Sequence, residues 1–151
     1  MIDVAIFGAG RIGKIHAGNL VLQPGANLKY VSDINAQAAQ ELATQHGAQV
    51  ADIDRILADP SVGAVLITSS TDTHADLIMR AAAAGKAIFC EKPVDLTLER
   101  ARACASAVAK AGVTCMIGFQ RRFDPTFDAL KTRLAAGEIG DPEMLIRTPA
   151  V

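Results

Sequence analysis

The chain has no tryptophan, one tyrosine and five phenylalanines among its 151 residues. That scarcity leaves alanine, valine, isoleucine and leucine to fill the core, the composition of a parallel sheet covered by helices on both faces. An excess of one charge is also missing. Fifteen lysines and arginines meet sixteen aspartates and glutamates, and a net charge of −1 supplies no basic field for nucleic acid or an anionic membrane. No apolar run approaches the roughly 20 residues that span a bilayer, and the N-terminus opens on a strand pattern rather than on a basic, cleavable leader. Cys90, Cys104 and Cys115 are odd in number, show no metal or redox spacing, and each lies in an apolar pattern. They read as buried free thiols of a cytoplasmic protein. The length allows one sizeable core and is short for two ordinary domains.

What is present begins at the second residue. Ile2-Asp3-Val4-Ala5-Ile6-Phe7 reads as a strand that breaks into Gly8-Ala9-Gly10-Arg11-Ile12-Gly13 and then into a helix with apolar positions at Ile12, Ile15 and Leu22. The G-x-G-x-x-G spacing gives each glycine a task at a dinucleotide site. Gly8 permits the turn, Gly10 admits a pyrophosphate to the backbone, and Gly13 lets the helix pack close to the strand. The free N–H groups and positive dipole end of that helix would hold the diphosphate.

A second strand, Leu28 to Ser32, ends in Asp33, twenty residues after Gly13. An acid there accepts both hydrogen bonds of an adenosine ribose and repels a 2′-phosphate. No arginine follows, since the next residues are Ile34 and Asn35, so NAD is expected rather than NADP. Asp33 could instead simply cap the next helix.

That helix runs from Asn35 to His46 and ends at Gly47 as at a C-cap. Ala48-Gln49-Val50 is a short strand. Asp52 or Asp54 caps a short helix with Ile53, Ile56 and Leu57 inward, closed by Pro60. Ala64 to Thr68 is a buried strand with Ser69-Ser70-Thr71-Asp72 as the loop at its carboxyl end, where ligands sit in an open parallel sheet. Thr73 and Asp76 have capping-box spacing for a helix that runs to Gly85. Lys86 to Cys90 is a fifth strand and delivers Glu91-Lys92-Pro93 to the same rim.

Asp95 or Thr97 caps a helix with Leu98, Ala101, Ala105 and Val108 on one face, stopped at Gly112. Val113 to Gly118 is a sixth strand, and Phe119-Gln120-Arg121-Arg122 its rim loop. Asp124-Pro125 starts a helix with Phe123, Phe127, Leu130 and Leu134 in a stripe. Six strands alternating with helices predict a doubly wound parallel α/β sheet, a Rossmann dinucleotide-binding fold. Gly140-Asp141-Pro142 is a break, and Glu143 to Thr148 reads as a strand that starts something new.

With these residues in place the sequence resembles the Gfo/Idh/MocA family of NAD(P)-dependent oxidoreductases along its whole length. The resemblance rests on Gly8 to Gly13, on Thr71-x-x-His74, on Glu91-Lys92-Pro93, and on the stretch from Gly118 to Leu130. The run Gly118 to Pro125 is most similar to the inositol 2-dehydrogenase branch.

The resemblance implies that Gly8, Gly10, Arg11, Ile12, Gly13, Asp33, Ile34, Ser69, Thr71, His74, Glu91, Lys92 and Pro93 bind NAD. It places Lys92 as the catalytic cation between nicotinamide and substrate, aimed by a cis Lys92–Pro93 bond. Gln120 and Arg121 are candidates, with Lys92, for contact with a polyol or sugar. No metal is expected. A general base is also required for a hydroxyl that becomes a carbonyl. The resemblance assigns it to a histidine, backed by an aspartate, in a second domain that this chain does not reach. His16 is expected to be a packing or surface residue, His46 an exposed helix end, and His74 a cofactor-side structural residue. Residues 1–140 thus form the NAD-binding domain, and 141–151 open a truncated substrate and oligomerisation domain. An intact homo-oligomer is expected, with self-association here through the unpaired edge of the tail.

Overall fold

Every strand of the sheet runs in the same direction because helices carry the chain back between strands. The computed structural model describes residues 1–144 and 146. In it the strands are β1 (Ile2–Phe7), β2 (Ala26–Ser32), β3 (Gln49–Val50), β4 (Val62–Ile67), β5 (Ala87–Cys90) and β6 (Cys115–Ile117). The helices are α1 (Arg11–Leu20), α2 (Ala36–His46), α3 (Ile53–Ala58), α4 (Thr71–Ala83), α5 (Leu98–Ala111) and α6 (Pro125–Ala135). The sheet order is β3-β2-β1-β4-β5-β6, all pairs parallel, as the alternation of patterns predicts.

Side-chain alternation along β1 feeds two separate cores. Ile6 joins Ala17, Leu28, Val31, Ala39, Leu42 and Ala43 beneath α1 and α2. Ala5 and Phe7 join Val65, Ile67, Ile78, Ile88 and Cys104 on the face covered by α3, α4 and α5. Burial on both faces is why β1 and β4 read as continuous apolar runs. The order reverses between β1 and β4, and the crevice beyond their carboxyl ends is the ligand-binding position of such sheets.

Several local expectations hold. Gly47 closes α2 in the left-handed region, while Asn35, expected as the first residue of that helix, instead caps it by accepting the Ala38 amide at 3.1 Å. Asp52, not Asp54, caps α3, and Thr97, not Asp95, caps α5, which ends at left-handed Gly112. Asp124 caps α6 with Pro125 in its first turn.

Others do not. Ile15 and Leu22 are exposed, and α1 instead lays Gly13 and Ala17 on the sheet, because small residues let helix and strand backbones approach. Thr73 and Asp76 form no capping box. The helix starts at Thr71 with Ser70 in the cap position, three residues earlier, and Asp76 pairs with Arg100 of α5 at 2.8 Å. On α5 Val108 packs against the core and Ala101 is half-buried, as expected, but the buried residue is Cys104, and Leu98 and Ala105 face solvent.

The amino ends of the central strands hold a polar cluster. Asp59, just after α3, accepts from Lys29 Nζ at 2.9 Å, Tyr30 OH at 3.0 Å and the Ser61 amide at 2.9 Å. These donors hold its carboxyl well below the usual carboxylate range, the Lys29 hydrogen bond being the largest cause. Buried Lys86 reaches the Asp59 carbonyl oxygen at 2.7 Å.

The chain divides into two units, Met1–Gly118 and Phe119–Val151. The first is the sheet with α1 to α5. In the second, a 3-10 turn at Gln120–Phe123 precedes α6, whose stripe of Phe123, Phe127, Leu130 and Leu134 has no fully buried member. The strand expected over 143–148 falls largely outside the described residues; Met144 and Ile146 are exposed. No helix among the described residues is long and apolar enough to cross a membrane.

Candidate functional site

The loop from Gly8 to Gly13 joins β1 to α1 at the reversal point of the sheet. Gly8 has φ +108°, and a Cβ there would meet Ser69 N at 2.6 Å and Thr68 O at 2.7 Å, so both conformation and space demand glycine. A Cβ on Gly13 would lie 2.0 Å from Gly8 O, the close helix–strand contact the spacing predicts. Gly10 differs. Nothing lies within 4 Å of a Cβ placed on it, and α1 begins there with no side-chain cap. The first-turn N–H groups of Arg11, Ile12 and Gly13 have no carbonyl partner earlier in the helix and lie at its positive end. A dinucleotide diphosphate fits that cradle.

Asp33 follows β2 and uses both carboxylate oxygens. Oδ2 accepts the Ala9 amide at 2.6 Å, and Oδ1 accepts the Asn35 amide at 2.7 Å. It is not the helix cap, since Asn35 fills that place. It ties the glycine turn to the end of β2 while each oxygen keeps lone-pair capacity for a ribose hydroxyl. Ile34 beside it is fully exposed.

The loop after β4 is held from two sides. The Thr68 hydroxyl, buried, lies 3.1 Å from Phe7 O and 2.9 Å from Gly8 O. Thr73 donates to Ser70 O at 2.8 Å, and its single hydrogen is then used, so Ser69 donates to it at 2.7 Å. Thr71 opens α4. His74, buried on that helix, sets Nδ1 2.8 Å from Pro93 O and Nε2 3.0 Å from Ser69 O. One ring thus bridges the loops after β4 and β5.

Glu91-Lys92-Pro93 leaves β5 at the same rim, with a cis bond between Lys92 and Pro93. Lys92 and Pro93 are exposed, and Lys92 has no ion-pair partner among the described residues. Glu91 meets His16 of α1, whose Nε2 is 2.8 Å from Oε1. Gln120 and Arg121 belong to the second unit. There the Arg121 guanidinium stands 4.7 Å from the Phe127 ring centroid and 3.9 Å from Asp124, and Gln120 is exposed.

The first unit thus gathers the glycine turn, Asp33, Ser69, Thr71, His74 and Glu91 to Pro93 along one rim. Thr68 was not singled out by sequence, and His16 was expected only as a packing or surface residue. The parallel register of β1 and β4, Phe7 beside Ile67, is what sets Thr68 against Gly8. His16 lies three residues beyond Gly13, on the same face of α1, and that spacing was its one local signal. Among the described residues no cluster of His, Cys, Asp or Glu could hold a metal. The three cysteines are free, and burial pushes the Cys90 thiol up to about 12, which keeps it unreactive.

The sequence of inositol 2-dehydrogenase from Rhizobium meliloti (strain 1021) is 48% identical over 147 residues, covering 97% of this chain and 44% of that protein. The scyllo-inositol 2-dehydrogenase (NAD(+)) of Bacillus subtilis (strain 168) is 45% identical over 144 residues, covering 93% and 42%. A crystal structure of scyllo-inositol dehydrogenase from Lactobacillus casei, with bound cofactor NAD(H) and scyllo-inositol, matches with a TM-score of 0.87 and 30% identity, covering 93% of this chain and 43% of that one. The chain spans less than half the length of these relatives. Residues 2–119 match the family model described as an oxidoreductase family with an NAD-binding Rossmann fold. With the glycine turn, the acid at the end of β2 and the Glu-Lys-Pro rim in place, the chain belongs to the Gfo/Idh/MocA oxidoreductase family and carries its NAD-binding Rossmann domain.

Proposed function

We propose that this chain is the cofactor-binding half of an NAD-dependent dehydrogenase that oxidises a ring secondary alcohol of the inositol class to a ketone. The observation that carries the reading is the exposed Lys92, without an ion-pair partner among the described residues, on the rim that also holds the glycine cradle and Asp33. The names of the relatives supply the substrate class. Residues 1–140 form the NAD-binding domain in this reading, and the segment from 141 opens a second domain for substrate and oligomer contacts. The whole protein is a cytoplasmic homo-oligomer, consistent with three free thiols.

When bound, NAD accepts the hydride from the alcohol carbon. The chain's own residues bind and orient. The open N-terminus of α1, with Arg11 and Ile12 in its first turn, takes the diphosphate, and Asp33 takes the ribose hydroxyls beside Ile34. Ser69, Thr71, His74, Glu91 and Pro93 shape the nicotinamide side. The Lys92 ammonium holds the substrate hydroxyl and stabilises negative charge on its oxygen as the C–H bond breaks. Gln120 and Arg121 contact further hydroxyls. The hydroxyl proton needs a base, and the described histidines are committed elsewhere: His16 to Glu91, His74 to two carbonyls, and His46 to the far end of α2. The family resemblance assigns that base to the second domain.

The test is NADH formation by this chain with NAD and myo-inositol or scyllo-inositol, beside NADH binding in the same sample. Binding without turnover is expected, with turnover appearing when a second domain from an inositol dehydrogenase is fused after Gly140. Absence of NADH binding would sink the proposal. Binding that never gains activity on fusion would favour a cofactor-binding module without catalysis, and activity on another sugar would move the substrate class.

A further inference from the structure

Both neighbours of Lys92 are anchored, each by a histidine from a different helix. Pro93 presents its carbonyl to His74 of α4 at 2.8 Å, and Glu91 presents its carboxylate to His16 of α1 at 2.8 Å. A carboxylate can only accept, so His16 Nε2 carries the proton and donates. The His16 ring also packs edge-on against Phe89, with centroids 5.0 Å apart. The His16 and Glu91 side chains are 22% and 21% exposed, shielded enough for the contact to persist. Space for this arrangement is reserved by Gly118, where a Cβ would press on the Glu91 carboxyl at 3.2 Å and on Phe89 at 3.0 Å.

A free carboxylate one residue from an ammonium is its natural competitor for pairing. A Lys92 paired with Glu91 would lose much of its capacity to hold a substrate hydroxyl. We propose that His16 is a positioning residue, which draws the Glu91 carboxylate onto α1 and so leaves the Lys92 ammonium free for the substrate. The proposal rests on the reading of Lys92 as the substrate-facing cation. It also makes α1 serve both ends of the cofactor site, with its N-terminus at the diphosphate and its second turn setting the charge around Lys92.

The experiment measures lysine acetylation rates in the 151-residue chain under limiting acetic anhydride, read residue by residue by mass spectrometry, with exposed Lys110 and Lys131 as internal references. In His16→Leu, Lys92 should react about threefold more slowly relative to the references, the size expected of a partly exposed ion pair newly formed with Glu91. Adding Glu91→Gln should restore the wild-type rate, and His16→Gln, which keeps an N–H donor, should stay close to it. Gly118→Ala crowds Glu91 without touching His16 and should slow Lys92 in the same Glu91-dependent way, so the proposal stays testable if His16→Leu folds poorly. A merely structural role for His16 would change all lysines together or leave Lys92 unchanged, and either result overturns the proposal. NADH binding by the wild-type chain separates the two readings. Its loss would overturn the proposed function, whereas intact binding with an unaltered Lys92 rate in these variants would overturn only the role of His16.

Discussion

Asp33 Oδ2 accepts the Ala9 amide at 2.6 Å, joining the end of β2 to the middle of the glycine turn. The acid proposed to select the cofactor is therefore also a strut of the glycine turn. Asp33→Ala should weaken NADH binding about tenfold or more, since a charge-assisted hydrogen bond is lost at each role. Asp33→Asn keeps an acceptor for Ala9 and should bind NADH better than the alanine variant. Both should narrow the NADH over NADPH preference, measured by fluorescence titration. An unchanged preference would leave Asp33 as a strut alone.

Gly10 and Gly13 separate binding from folding. Gly10→Ala fills open space above the cradle, so unfolding free energy should change by about 0.5 kcal/mol or less while NADH affinity falls about tenfold. Gly13→Ala puts a methyl 2.0 Å from Gly8 O and should cost about 1–3 kcal/mol or more in urea unfolding. Equal stability losses in the two variants would contradict the geometry.

His74→Ala removes the ring that bridges Ser69 O and Pro93 O and leaves a buried void. A loss of about 2–4 kcal/mol is expected in denaturant unfolding, from unmet hydrogen bonds plus cavity. A loss below about 0.5 kcal/mol would mean that the two loops hold their places without it.

Helix ends were legible where their chemistry is local: Gly47 after α2, and Asp124 with Pro125 before α6, each state a helix end within a few residues. The glycine turn and Asp33 were legible because their spacing encodes one supersecondary unit. What failed depends on distant partners. Asp76 looked like a cap until Arg100 claimed it from another helix. Ile15 outranked Ala17 in apolarity, yet close packing prefers the smaller residue. His16 and Glu91 are 75 positions apart, and only the sheet order brings α1 beside the end of β5.

The pH dependence of stability should be set at the other edge of the sheet. Asp59 is held below its ordinary 3.8, so the folded state favours its ionised form. Its contribution is complete above that ordinary value and is lost as pH falls through the lower, folded one. Lys29, held above its ordinary 10.5 chiefly by the same Asp59 hydrogen bond, contributes fully below that value and loses its share as pH rises beyond it. Asp59→Asn should flatten the acid limb of a stability profile measured below about pH 4. An acid limb identical to wild type would show that Asp3 and Asp95, also lowered, carry it instead.

The Asp59–Lys29–Lys86 cluster lies at the amino ends of strands whose carboxyl ends carry the glycine turn and Lys92. A strand of six residues such as β4 sets these edges about 20 Å apart. At that separation substitutions combine additively. The lower edge is thus a place where an engineer can raise robustness to heat or acid while the specificity of the upper edge is retuned independently, each without undoing the other.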